Sequence, residues 1–249
     1  MTRTIELDGR WHITGHLNGG YLAAVCGQIA SEALGGAAPF TISTHYLAPA
    51  RGAGPADVDV EILREGRLST ARVRLAREGT TLLESLVTTG TPKAHAALRE
   101  EEVGGAAVAV GHPAARDRRA QRLAPGERRG VARIEPHLDV LEDLVALLRR
   151  ERRGVGAGEV LPAGDGRGYG VLASAAWDLL PPTPWFVHVW TGAPTVAAQL
   201  LLYPGEIQGP LILEARAETI REGIADETAR VWDARGHLVV SSRQTAIIT

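Results

Sequence analysis

The clearest chemistry the sequence offers is carried by backbone rather than by side chains. HLNGGYLAAVCGQIASEAL (16–34) sets a paired glycine, Gly19-Gly20, directly before a long run of small and apolar residues. Leu22, Val25, Ile29 and Leu34 recur at helical spacing, Asn18 is a residue type that caps a helix, and Gly35-Gly36 stops one. The head of such a helix carries amides with no intrahelical partner and a partial positive charge. Glycine lets a ligand reach that backbone with no Cβ in the way. The chemistry implied is stabilisation of a negatively charged oxygen. The same pair also suits a helix start packed tightly against a strand, and both readings stand on the sequence.

Side chains offer less. His12 and His16 flank the turn, but no zinc spacing joins them to Cys26 or to another cluster, so no metal is expected. Cys26 falls within the helical run, where burial as a small hydrophobe is favoured over use as a nucleophile. There is no G-x-S-x-G elbow, no phosphate-binding loop and no dinucleotide fingerprint, so no cofactor is expected. His45 in STHYL (43–47) and Asp178 in WDLLPP (177–182) are a histidine and a carboxylate of the kind that moves protons together. The plain alternative for His45 is a satisfied core histidine.

The elements that must position these groups read as two similar sets. After the helix come β-rich segments at 40–50, 56–66, 68–79 and 80–90, with Val58, Val60 and Ile62, then Ala71, Val73 and Leu75, alternating along one face. Arg64-Glu65-Gly66 and Arg77-Glu78-Gly79 read as hairpin turns. The stretch 92–136 has little periodicity, and six arginines crowd 116–129. An amphipathic helix is predicted over 138–153. GYGVLASAAWDLLPP (168–182) is again a glycine-led, alanine-padded helix, followed by strands at 194–205, 211–223 and 227–249. Matching segments lie roughly 150–158 residues apart in the same order, which predicts a duplicated unit.

Composition narrows the classes. Hydrophobic residues make up 45% and charged residues 22%, so a packed core is expected, and the net charge of −2 argues against a dominant nucleic-acid surface. No run of about 18 apolar residues predicts a membrane span. The N-terminal MTRTIELDGRW lacks the apolar core of a signal peptide, and one cysteine excludes an internal disulfide. A cytoplasmic protein is expected, and the abundance of Ala, Arg and Gly hints at a bacterial source.

NGGYLAA (18–24), THYLAPA (44–50), WDLLPP (177–182) and VWDARGHLVVSSRQTAI (231–247) together resemble the bacterial acyl-CoA thioesterase II group and its actinobacterial relatives. The resemblance implies an α+β double hot-dog: an N-terminal unit over 1–91, a linker or insertion over 92–160, and a C-terminal unit over 161–249. In that family the amide end of the buried helix binds the thioester carbonyl oxygen, which makes Gly19, Gly20 and Tyr21, capped by Asn18, the oxyanion candidates. The family also holds its hydrolytic water with an acid, a Thr/Ser and a Gln. Carried over, the Gln falls on Gln244, the Thr/Ser on Glu218 or Thr219, and the acid on Ala197, a departure that leaves the usual general base missing.

What the resemblance implies about function is an acyl-thioester hydrolase acting on coenzyme A or carrier-protein substrates. Two alternatives stay open: a lyase, dehydratase or cyclase on a polyketide-like chain in a biosynthetic setting, using His45, Ser43 and Asp178, and a non-catalytic acyl-binding protein. The arginines of 116–129 suit coenzyme A phosphates or an acidic carrier, or simply a solvated loop. Trp185, Phe186 and Trp190 suit an acyl tunnel wall or plain core. Two units in one chain make dimerisation unnecessary for completing a site, and further homo-oligomerisation is compatible with the fold.

Overall fold

The computed structural model describes residues 2–13, 15–90, 129–132, 194–203, 205, 212–233 and 235–248. Among the described residues the α-helix is α1 (Gly19–Ala33), which starts and stops where the glycine pairs place it. Gly35 and Gly36 take φ of 83° and 81°, the left-handed conformation that ends a helix. Ala23, Ala24, Val25, Cys26, Gly27 and Ala30 are buried, so the small-residue side lies close on the sheet. At Gly27 a Cβ would stand 2.7 Å from Ile42 Cδ1, which is why the helix needs glycine there.

The strands are β1 (Thr2–Leu7), β2 (His12–Ile13), β3 (His16–Leu17), β4 (Pro39–Tyr46), β5 (Gly54–Arg64), β6 (Leu68–Arg77), β7 (Thr80–Gly90), β8 (Arg129–Ala132), β9 (Thr195–Leu202), β10 (Ile212–Arg221), β11 (Ile224–Trp232) and β12 (Leu238–Ile247). β2 and β3 pair with each other, and the other ten form one antiparallel sheet in the order β1-β5-β6-β7-β4-β9-β12-β11-β10-β8. The β6–β7 and β10–β11 loops use the same Glu-Gly pair with both φ positive, Glu78 50° and Gly79 78°, then Glu222 53° and Gly223 78°. That is the turn whose twist matches flanking antiparallel strands. β1 and β8 were absent from the sequence reading; β8 lies inside the stretch assigned to the linker and pairs with β10. The helices predicted over 138–153 and 168–182 lie outside the described residues, as do Asp178, Trp185, Phe186, Trp190 and the arginines of 116–128.

The two halves repeat to the residue. Phe40 in β4 and Val196 in β9 are each the extra residue of a bulge against the next strand. Leu63 in β5 matches Glu218 in β10, and Leu82 in β7 matches Val239 in β12. A bulge reverses which face later side chains occupy, so three shared bulges fix the correspondence between the halves. β4 and β9 join at the middle of the sheet, with Thr41 opposite Leu201, Ser43 opposite Gln199 and His45 opposite Ala197. α1 packs on β4 to β7, on the face that carries Ile42, Thr44, Val73, Leu83 and Val87.

Candidate active site

Four contacts set the amino end of α1. Asn18 N–H donates to the Trp11 carbonyl at 2.8 Å, and Leu17 N–H to the Ala50 carbonyl at 2.8 Å. The Asn18 side-chain oxygen accepts from Tyr21 N–H at 2.7 Å. The Tyr46 hydroxyl, at the end of β4, donates to the Gly19 carbonyl at 2.7 Å. Arg77 stiffens the neighbouring loop by donating to the carbonyls of Arg51, Gly52, Gly54 and Pro55. The Tyr21 ring stacks on Trp11 with centroids 5.3 Å apart, and its hydroxyl accepts from Asp8 N–H at 2.9 Å. Burial pushes the Tyr21 phenol up to about 12, so it stays neutral.

These contacts revise the oxyanion set. The cap takes the Tyr21 amide, and the Asn18 carbonyl takes the Leu22 amide at 3.2 Å. Tyr21 therefore anchors the turn with its ring and cannot offer its N–H to a ligand while capped. Gly20 is buried, whereas Gly19 is half-buried at the helix tip.

On the inner face a row of directly paired residues crosses the junction of the halves: Ser85 in β7, Thr44 in β4, Ala198 in β9, Gln244 in β12 and Glu227 in β11. Thr44 and Ser85 share a hydrogen bond of 2.8 Å, and the Cys26 thiol bonds Ser85 from the helix. At the other end Gln244 is gripped on both sides. Its Nε2 donates to Glu227 Oε2, and its Oε1 accepts from the Thr195 hydroxyl at 2.8 Å. Glu227 is 1% exposed and Gln244 5%. Adjacent strands stand about 4.8 Å apart, which puts Gln244 roughly 10 Å from Thr44. Tyr46 follows His45, the last β4 residue paired with β9, which lies opposite Ala197.

The other expected residues fall elsewhere. Glu218 and Thr219 are exposed on β10; Glu218 is the bulge residue and accepts from the Thr228 hydroxyl at 2.8 Å. Neither joins Gln244. His45 is exposed on the outer face, beside Glu84 and Ala197, with Ser43 on the same side. Ala197 also points outward, paired with exposed Thr245. The bulge at Val196 shifts the phase of β9, so Thr195, not Ala197, faces Gln244. Ala197, the position the resemblance gives to the acid, is thus on the outer face, and the inner cluster holds a carboxylate, Glu227.

Sequence reading missed Glu227 and Thr195. The signal for Glu227 was present: Ala225, Glu227, Ala229 and Val231 alternate inward along β11, and a carboxylate in that phase is out of place in a core.

A helix laid on an antiparallel sheet is the arrangement of a hot-dog unit. The comparisons agree: residues 7–91 match the acyl-CoA thioesterase N-terminal domain and residues 158–248 the acyl-CoA thioesterase C-terminal domain. The chain belongs to the acyl-CoA thioesterase family, in its type II branch. An uncharacterised protein of Mycobacterium tuberculosis is 28% identical over 98% of this chain and 89% of its own length. A Thermobifida fusca protein assigned as a thioesterase II is 27% identical, with a TM-score of 0.68 over 100% of this chain and 92% of that one. An acyl-CoA thioesterase II of Mycobacterium marinum shares the fold at 15% identity, with a TM-score of 0.64 over 93% and 89%.

Proposed function

We propose that this protein is an acyl-thioester hydrolase of double hot-dog architecture, with coenzyme A or carrier-bound acyl groups as substrates. The observation that carries the reading is Gln244, buried on the inner face, its amide fixed by Thr195 and Glu227. The thioester carbonyl sits at the Gly19 amide, where the helix end stabilises the oxyanion of the tetrahedral intermediate. Gln244 positions the attacking water. The fixed amide requires no reorganisation as charge develops, which is what gives such dipoles their catalytic weight.

The lyase reading depended on His45 meeting a carboxylate next to the substrate. His45 on the outer face is separated from Gln244 by the thickness of the sheet, which favours hydrolysis. Thiol release from a panel of acyl-CoAs tests the proposal. Gln244→Ala is expected to lower kcat/KM by about 100-fold or more, and His45→Ala to leave it within about twofold. Equal losses in both variants, or none in Gln244→Ala, count against hydrolysis at this site.

A further inference from the structure

We propose that Arg51, with His16 beside it, binds a phosphate of the substrate's pantetheine-bearing carrier near the head of α1. The inference rests on the thioesterase reading and adds to it the group by which the carrier is recognised.

Backbone pairing puts both residues there. Leu17 N–H donates to the Ala50 carbonyl at 2.8 Å, and His16 is the antiparallel bridge partner of Arg51. β3 runs from His16 directly into the cap residue Asn18 and then Gly19, so Arg51 is tied to the strand that delivers the helix head. Three residues of chain span at most about 10 Å, which bounds the distance from His16 to Gly19. Directly opposed partners hold their Cβ atoms about 4.5–5.5 Å apart. The imidazole and the guanidinium therefore leave the backbone side by side, close enough for one anion to meet both.

The charge of Arg51 is left to solvent. The residue is exposed, and no carboxylate among the described residues pairs with it. Arg10, in the turn just before β2, is instead taken by Asp8. Arg77 spends its guanidinium on the carbonyls of Arg51, Gly52, Gly54 and Pro55. Those oxygens would repel an anion beside Arg51, and a cation now meets them. The same contacts fix the backbone from which Arg51 projects, so less freedom is lost when a ligand is held there. An arginine and a histidine set directly opposite each other are poor partners, because like charges in that position destabilise a sheet. A phosphate between them replaces repulsion by two attractions, and a guanidinium meets phosphate oxygens through paired N–H donors. Coenzyme A and the phosphopantetheine arm of a carrier protein both bring phosphate to a thioester. The arginines of 116–128, which the sequence offers for the same phosphates, lie outside the described residues, and Arg51 acts whether or not they add to it.

The test uses the full chain and three substrates with one acyl group: acyl-CoA, acyl-phosphopantetheine and acyl-pantetheine, the last without phosphate. The readout is the ratio of kcat/KM for each phosphorylated substrate to that for acyl-pantetheine. Arg51→Gln is expected to lower the acyl-CoA ratio by about tenfold, through KM, and Arg51→Lys to keep most of it. An equal fall for acyl-phosphopantetheine assigns the site to the phosphate that both carriers share, and a fall confined to acyl-CoA assigns it to the nucleotide phosphates. Added salt is expected to narrow the difference between wild type and Arg51→Gln. Arg64→Gln, which removes another exposed and unpaired arginine at the β5–β6 turn, controls for net charge and is expected to leave the ratios within about twofold. An acyl-CoA ratio that stays within twofold in Arg51→Gln, or falls as far in Arg64→Gln, overturns the proposal. If wild type hydrolyses none of the three, the thioesterase reading fails, and calorimetric titration with coenzyme A itself decides for Arg51. A Kd about tenfold weaker in Arg51→Gln then supports the phosphate site, and an unchanged Kd, or no binding by wild type, overturns it.

Discussion

At the scale of the residue, Cys26 shows how burial silences a reactive group. It is 0% exposed, and burial pushes its thiol from 9.0 up to about 12, against a weaker pull from the Ser85 hydrogen bond. The folded protein is therefore expected to give no signal with a disulfide dye until denaturant is added, so thiol release from a substrate is read without background. The same shift makes stability depend on pH. A raised pKa means that the unfolded chain gives up its proton first as pH rises. The Cys26 contribution is fully present below pH 9 and is lost between 9.0 and about 12, and Tyr21, raised from 10.0 to about 12, adds to the decline from pH 10. Urea midpoints from pH 8 to 11 check this: Cys26→Ala should remove the portion that begins near pH 9 and leave the later one.

At the scale of the element, the decisive contact is α1 against β4. Gly27 is the point of closest approach, and the Ile42 Cδ1 atom fills the space a Cβ would take. Gly27→Ala gains about 1 kcal/mol of helix propensity but overpacks a core with no slack, a cost of about 1–3 kcal/mol. Net destabilisation is expected. Ile42→Val removes the clashing Cδ1, so the double variant should be more stable than the sum of the single changes predicts, as a double-mutant cycle in urea would show. These elements were largely legible. The helix announced itself through its cap, its small residues and its glycine stop, and β5 to β7 through alternation on a half-buried sheet. The bulges were not legible, because no residue type marks Phe40, Leu63 or Leu82 as an extra residue. That gap had consequences: the shared Ala-Arg-Val at 71–73 and 229–231 suggests one register, whereas the bulges align Ala71 with Glu227 and Val73 with Ala229. The Val196 bulge likewise turns Thr195, and not Ala197, toward Gln244.

At the scale of the whole molecule, duplication supplies two equivalent strand frames, and among the described residues the paired positions hold Gln244 and Glu227 in one and Val87 and Ala71 in the other. The β4–β9 junction makes the sheet continuous, so the half that carries α1 and the half that carries the Gln244–Glu227 pair share one sheet. The symmetric place would need an amide and a carboxylate on β7 and β6, and there Val87 and Ala71 are fully buried. Neither can orient water or accept a proton. The order of the repeats was visible in the sequence, but this asymmetry was not, since it depends on which strands meet and in what register. One working site per chain is the expectation. Calorimetric titration with a thioether analogue of an acyl-CoA, which binds but cannot be hydrolysed, should saturate at one equivalent per chain, whatever the oligomeric state. Two equivalents of matched affinity would mean that the apolar pair supports binding as well as the polar one does, and that the fixed amide of Gln244 contributes nothing to holding the acyl group.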